Sequence, residues 1–126
     1  MLSYRRLLKS FRYARHGLWQ VAKEEQNFAI ELTIGVSAII LAGLLKFALW
    51  EWAILSLTIG FVLITELFNS AVERISDLLK PRLDIYVKEI KDIMAAAVFL
   101  AAGLSVIVGL ILFLPHLIKL LITIFQ

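Results

Sequence analysis

Five polar side chains recur at helical spacing beside a long apolar stretch of the sequence. They are Glu66, Asn69, Ser70, Glu73 and Asp77, at i, i+3, i+4, i+7 and i+11. Residues at this spacing share one face of an α-helix, and we call this face the polar seam. An acidic residue inside a membrane helix costs about 2.5–3.5 kcal/mol on insertion scales. Glu66 is therefore a candidate functional residue, and the alternative is a polar contact that joins helices.

The acidic residues of the polar seam suggest metal and phosphate chemistry. Clustered carboxylates with an amide, near water, supply the oxygen ligands that Mg²⁺ prefers, and Mg²⁺ commonly accompanies nucleotide phosphates. The sequence contains neither Gly-x-x-x-x-Gly-Lys-Ser/Thr nor Gly-x-Gly-x-x-Gly. A phosphate site would therefore use side chains such as Arg6, Arg12 and Lys91, since phosphoryl transfer mainly requires positioning and charge neutralisation.

The depth of the two glutamates on the seam suggests different roles. Glu66 lies seven residues from Glu73, which is about 10 Å along a helix. A deep carboxylate with little water around it suits a general base, whereas a shallower one near a cation remains ionised. A base at that depth reaches a hydroxyl held near the membrane interface, so the implied substrate is a lipid alcohol.

The composition is that of an integral membrane protein. Hydrophobic residues make up 61% of the 126 residues and the mean hydropathy is +0.89, whereas soluble domains are about 45–50% apolar. At this length we expect one domain, covered by lipid and by other copies of the chain. The net charge is +3. In a membrane protein, basic residues set the orientation of the chain and contact anionic lipid, so we expect no nucleic-acid partner. The chain has no cysteine, which excludes disulfides and thiolate metal sites.

The hydrophobic pattern predicts an all-α membrane protein, with one surface helix and three transmembrane helices in a single domain over residues 1–126. The N-terminal segment alternates basic and apolar residues at helical spacing, as in amphipathic helices on membrane surfaces. Lys80-Pro81-Arg82 ends the second span, because proline cannot continue a helix. The predicted segments are a surface helix at 1–27, spans at 28–50, 52–79 and 92–114, a loop at 80–91, and an apolar extension at 115–126 that either continues the third span or lies along the interface.

The basic residues predict the orientation of the chain. Of the thirteen Lys and Arg residues, six precede the first span and five lie between Arg74 and Lys91, which leaves Lys46 and Lys119 for the other side. Basic residues are enriched in cytoplasmic segments. We therefore expect a multi-pass protein with a cytoplasmic N-terminus and active site, and with its C-terminus outside.

Two motifs resemble a known family. Residues 66–77 read ELFNSAVERISD and residues 91–98 read KDIMAAAV. This double motif is similar to the signature of the small bacterial diacylglycerol kinases and undecaprenol kinases, over a stretch from about Arg6 to the end of the third span. The resemblance implies a homotrimer in the bacterial inner membrane, with active sites between protomers. It also implies transfer of the γ-phosphate of Mg-ATP to a lipid hydroxyl, with diacylglycerol or undecaprenol as the acceptor.

The resemblance implies roles for individual residues. Glu66 matches the catalytic base, and Glu25 and Glu73 match the residues that hold Mg²⁺ with ATP. Glu31 matches an acidic position near the lipid entry, and we place Ala95, with Glu66, on the lipid side as well. The positions that match the nucleotide and catalytic region are Arg6, Tyr13, Glu25, Asn69, Glu73, Lys91 and Asp92.

Three departures from the enterobacterial diacylglycerol kinase pattern concern substrate contacts. Arg82 replaces an acidic residue near the adenosine, Ala29-Ile30 replaces a more polar pair beside Glu31, and Met94 replaces a glycine. The sequence leaves both lipids open, with diacylglycerol as the leading candidate. A hypothesis of another class is a non-catalytic membrane oligomer or ion conduit, in which the polar seam binds cations.

Overall fold

The described residues form four α-helices. The computed structural model describes residues 4–79 and 84–125, which fold into α1 (Tyr4–Glu24), α2 (Gln26–Leu44), α3 (Leu49–Leu79) and α4 (Asp84–Phe125). Helices α2, α3 and α4 are each long and apolar enough to cross a membrane. The all-α class and the three spans are thus confirmed. The predicted break at Lys80-Pro81-Arg82 lies outside the described residues.

The first two helices are separated by a single residue. Glu25 is extended, with φ −106° and ψ 110°, although its amide still donates to the Val21 carbonyl at 2.8 Å. The second helix begins at Gln26, so residues 26–27 of the predicted surface helix belong to α2 instead. No residue of α1 is buried, and its position on a membrane surface stays a prediction.

The turn between α2 and α3 lies earlier in the chain than the predicted boundary, which left only residue 51 between the first two spans. Helix α2 ends at Leu44 and α3 begins at Leu49, so Trp50 and Glu51 are helical. Lys46 has φ 55°, a left-handed conformation that reverses the chain within four residues. The Glu51 carboxylate accepts a hydrogen bond from the Ala48 amide at 2.7 Å, as the third residue of a capped helix does. This cap, which hydrophobicity does not reveal, moves the helix start to Leu49.

Helix α4 is much longer than the third span that the sequence predicted. Its 42 residues correspond to about 63 Å, roughly twice the hydrocarbon thickness of a bilayer. Residues 84–91 of the predicted loop are helical, and Asp84 in the first turn is favoured by the helix dipole. The helix also passes through Pro115, since membrane helices tolerate a proline more readily than soluble ones. The extension after Pro115 therefore continues the same helix as the third predicted span.

The turn between α2 and α3 is packed against α4 at one end of the bundle. The hydrophobic core there contains Ala42, Phe47, Leu55 and Leu112. The Phe47 ring stacks on the His116 ring, with a centroid separation of 4.8 Å. His116 Nε2 lies 2.8 Å from Glu51 Oε1. Glu51 therefore caps α3 through one oxygen and joins α3 to α4 through the other.

We expect Glu51→Ala to destabilise the protein by about 1–3 kcal/mol, because it leaves the Ala48 amide and the His116 ring without their shared partner. The measurement is the free energy of unfolding in detergent micelles. Glu89→Ala is the control, since Glu89 is an exposed acidic residue of α4. Equal stability of the two variants would contradict the proposed clamp.

Candidate active site

Glu66 is enclosed by the surrounding helices. The residue is 2% exposed, and its Oε2 atom has no hydrogen-bond partner among the described residues. Ser70, one turn further along α3, is also 2% exposed, and its hydroxyl likewise has no partner within the described part of the chain. A buried polar atom without a partner is costly, so it indicates a place where a ligand can supply the missing hydrogen bond.

Further carboxylates surround Glu66. The charges of Glu25 and Glu73 act on Glu66, and the charge of Glu66 acts on Glu31. These residues come from the junction between α1 and α2, from α2, and from α3. The fold therefore gathers four of the predicted site residues from distant parts of the sequence into one acidic region.

One arginine joins this region to the junction between α1 and α2. Arg74 Nη2 donates to Glu24 Oε2 at 2.7 Å and to Glu25 Oε1 at 3.5 Å. The hydrogen bond from Arg74 holds the pKa of Glu24 below its ordinary value of 4.5. Glu24 is therefore ionised at neutral pH, and the ion pair is lost only as the pH falls below that value. Because Arg74 contacts both glutamates, it positions Glu25 relative to Glu73 on α3.

A second ion pair joins α3 to the start of α4. Lys91 Nζ donates to Asp77 Oδ1 at 2.7 Å, and this contact brings the two sequence motifs together. Asn69 is half-buried on α3, whereas Asp92 and Ala95 are exposed on α4. The pair fixes the amine of Lys91 at the end of the polar seam.

The structure leaves the two predicted residues of α1 apart from the acidic region. The Tyr13 side chain is 70% exposed and Arg6 is also exposed. Within the described residues, neither side chain forms a hydrogen bond or an ion pair. Their place in a nucleotide site therefore stays a prediction.

Two carboxylates of the acidic region are candidate ligands for a metal that arrives with nucleotide. No group of three or more His, Cys, Asp or Glu side chains among the described residues could hold a metal ion. Mg²⁺ bound with phosphates commonly uses only one or two protein carboxylates. Glu25 and Glu73 could supply these two ligands, with phosphate oxygens and water completing the coordination.

Sequence reasoning overlooked two partners in this region. Neither Glu24 nor Arg74 is among the site residues that the sequence predicted. Arg74 directly follows Glu73 and is the one basic residue within residues 66–77, and this contrast was the available signal. Its partners could not be identified from the sequence, because they lie about fifty residues away.

Comparison with known proteins supports a membrane lipid kinase. Residues 12–113 match the family described as prokaryotic diacylglycerol kinase. The chain is 37% identical to an undecaprenol kinase of Bacillus subtilis over 112 residues, covering 89% of this chain and 91% of the relative. It is 41% identical to a diacylglycerol kinase of Synechocystis over 117 residues, covering 92% and 67%. A diacylglycerol kinase of Helicobacter pylori is 30% identical over 94 residues, covering 75% and 73%.

The fold and the matches define an integral membrane kinase that phosphorylates an alcohol group of a lipid. The chain belongs to the prokaryotic diacylglycerol kinase family. The resemblance inferred from the two sequence motifs is thereby confirmed.

We expect Arg74→Gln to speed amide hydrogen exchange around Glu25 severalfold, because the contact between α3 and the junction is lost. The free energy of unfolding should change by less than about 1 kcal/mol, as is usual for exposed ion pairs. The control is Arg15→Gln, since Arg15 is exposed on α1. Unchanged exchange in Arg74→Gln would show that Arg74 does not hold the junction.

Proposed function

We propose that this protein transfers the γ-phosphate of Mg-ATP to the hydroxyl of a membrane lipid, with Glu66 as the general base. The supporting observation is the carboxylate of Glu66, which is 2% exposed and has an oxygen with no hydrogen-bond partner in the described part of the chain. A lipid hydroxyl can supply that hydrogen bond and then lose its proton to the same oxygen.

The proposed reaction is a direct phosphoryl transfer. Glu66 takes the proton of the lipid hydroxyl while the hydroxyl oxygen forms a bond to the γ-phosphorus of ATP. The bond between that phosphorus and the bridging oxygen of ADP breaks, and ADP leaves with the electron pair. The protonated Glu66 then returns its proton to water. Catalysis of this kind depends mainly on positioning and on neutralising charge.

The nucleotide is held by side chains around the polar seam. Bound Mg²⁺ would neutralise phosphate charge, with Glu25 and Glu73 as its protein ligands. Arg6 and Lys91 supply positive charge for the phosphates. Tyr13, Asn69 and Asp92 complete the nucleotide region in this proposal. The ion pair between Arg74 and Glu25 supports it, since this contact sets where one of the two metal ligands lies.

The active unit in this proposal is a homotrimer with active sites between neighbouring protomers, in the bacterial inner membrane. Many apolar side chains of the spans are exposed in a single chain, which supports their being covered by lipid and by other copies. Eleven of the thirteen Lys and Arg residues lie before α2 or from Arg74 to Lys91, and this excess supports a cytoplasmic active site.

The acceptor is diacylglycerol or undecaprenol, because relatives that cover most of this chain carry both names. Parallel assays with both lipids, in mixed micelles at one Mg-ATP concentration, identify the better acceptor. The same assay tests the ion-conduit hypothesis, which predicts no lipid-dependent release of ADP.

We expect Glu66→Gln to lower kcat by about 10²–10⁴-fold, the usual contribution of a general base. Its affinity for Mg-ATP should stay near that of the native protein, because the amide is similar in size. Glu51→Gln is the control, since Glu51 is also a buried carboxylate of α3 but lies at the other end of the helix. A rate near the native value in Glu66→Gln would exclude this residue as the base.

We expect Glu73→Gln to raise the KM for Mg-ATP about tenfold or more, because one of two charges facing the cation is removed. The KM for the lipid should change little. Glu89→Gln, at an exposed position of α4, controls for the loss of one negative charge. Native nucleotide affinity in Glu73→Gln would remove it from the metal site.

A further inference from the structure

A groove between α2, α3 and α4 begins at Glu31 and ends at Phe113. Its volume is about 370 Å³, and side chains from all three helices line it. Small residues, including Gly35, Ala38 and Gly109, leave the space between the helices. A groove of this size is at the lower end of the range for small-molecule sites, about 300–1,000 Å³.

The groove offers a single free polar group. Its polar lining residues are Glu31, Thr58 and Ser105. The Thr58 hydroxyl donates to the Ile54 carbonyl at 2.8 Å, and the Ser105 hydroxyl donates to the Ala102 carbonyl at 2.7 Å. Glu31 Oε2, by contrast, is buried and has no partner among residues 4–79 and 84–125. The matching occupant is apolar along its length and carries one hydrogen-bonding group at the Glu31 end.

The length of the groove matches one hydrocarbon chain in one leaflet. On α4 the lining runs from Ala102 to Phe113, a rise of about 16 Å. This is about half of the roughly 30 Å hydrocarbon thickness of a bilayer. Phe113 lies at the far end, where its ring packs on Phe47 with centroids 4.8 Å apart. The groove is thus long enough for one chain and is limited at its far end by aromatic rings.

The groove is continuous with the candidate active site and accessible from the membrane. Val62 lines the groove near Glu31, and Glu66 follows Val62 by one turn of α3, so the polar end of the groove adjoins the proposed general base. Ile34 and Val106 line the groove and are 63% and 61% exposed, which places an opening on its side. A lipid can enter laterally with its hydroxyl beside the two carboxylates.

We propose that this groove binds one hydrocarbon chain of the lipid alcohol, with Glu31 holding the hydroxyl-bearing end beside Glu66. The inference rests on the proposed kinase function. A second chain, where the lipid has one, lies outside the groove along Ile34 and Val106. Gly109 then determines whether the chain fits, because a side chain at this position would enter the groove.

Gly109→Leu tests the proposal by filling the groove. A Cβ atom at Gly109 has no neighbour within 4 Å, so the added side chain enters open space. The matched control is Gly103→Leu, because Gly103 lies on the same helix, is also without neighbours within 4 Å, and does not line the groove. Gly35 is unsuitable, since a Cβ atom there would lie 3.0 Å from Ile59 Cγ2.

The assay compares long-chain and short-chain alcohols, with one or two chains, at saturating Mg-ATP in mixed micelles. We expect Gly109→Leu to raise the KM for every long-chain acceptor about tenfold, the effect of a mismatch in an apolar pocket. The KM for Mg-ATP and the turnover of short-chain alcohols should stay native. Equal effects of Gly109→Leu and Gly103→Leu overturn the groove assignment, whereas absence of phosphorylation of any lipid by the native protein overturns the kinase function itself.

Photolabelling of the native protein gives a test that needs no variant. A long-chain alcohol with a diazirine at the end of its chain is bound without ATP, and the labelled peptides are identified by mass spectrometry. Label on Leu55, Val108 or Phe113 supports the proposal. Label confined to the exposed residues Leu104 and Leu110 overturns it.

The competing occupant is a neighbouring protomer. Because the chain has no cysteine, Ile34→Cys and Val106→Cys each introduce a single thiol at the opening. Blocking of these thiols by the long-chain alcohol supports the lipid as occupant. If disulfides form between protomers and their yield is the same with and without the alcohol, another copy of the chain fills the opening. That result overturns the proposal.

Discussion

The burial of Glu66 is the constraint on which the site depends. A carboxylate taken out of water is expensive, and nearby acidic residues add to the expense. Here the residue is 2% exposed and lies near the charges of Glu25 and Glu73. In the described structure no basic group contacts its carboxylate. The helix carries this cost because three apolar spans and their packing outweigh it, and in the proposed reaction a cation or a lipid hydroxyl lowers it.

Two ion pairs link the helices near that residue. Arg74 links α3 to the junction between α1 and α2, and Lys91 links α3 to the start of α4. Exposed ion pairs contribute little free energy. Their effect here is geometric, because each one joins residues far apart in the sequence. They position Glu25 beside α3 and the Lys91 amine beside Asp77 at the end of the polar seam.

The opposite end of the bundle is joined by a different contact. Glu51 caps α3 and contacts His116, while Phe47 packs on the same imidazole. This contact ties the turn between α2 and α3 to α4. Contacts thus join the helices at both ends of the bundle. Between these ends, small residues leave a groove of defined length, and Glu31 lies at one end of that groove.

The sequence by itself determined the helical class, the three spans, the polar seam and the family. These features rest on periodicity, on apolar length and on two local motifs, all of which are properties of consecutive residues. Helix limits were less predictable, because a side-chain cap at Glu51 and a tolerated Pro115 decided them. The predicted boundaries therefore differ most at residues 45–51 and 84–91.

The tertiary structure alone decided which distant residues meet. It paired Arg74 with Glu24 and Glu25, paired His116 with Glu51, and placed Glu31 at the end of a groove that adjoins Glu66. It also left Arg6 and Tyr13 exposed on α1. Contacts between helices depend on how ridges and small residues let them pack, and this packing cannot be derived from the periodicity of any one helix.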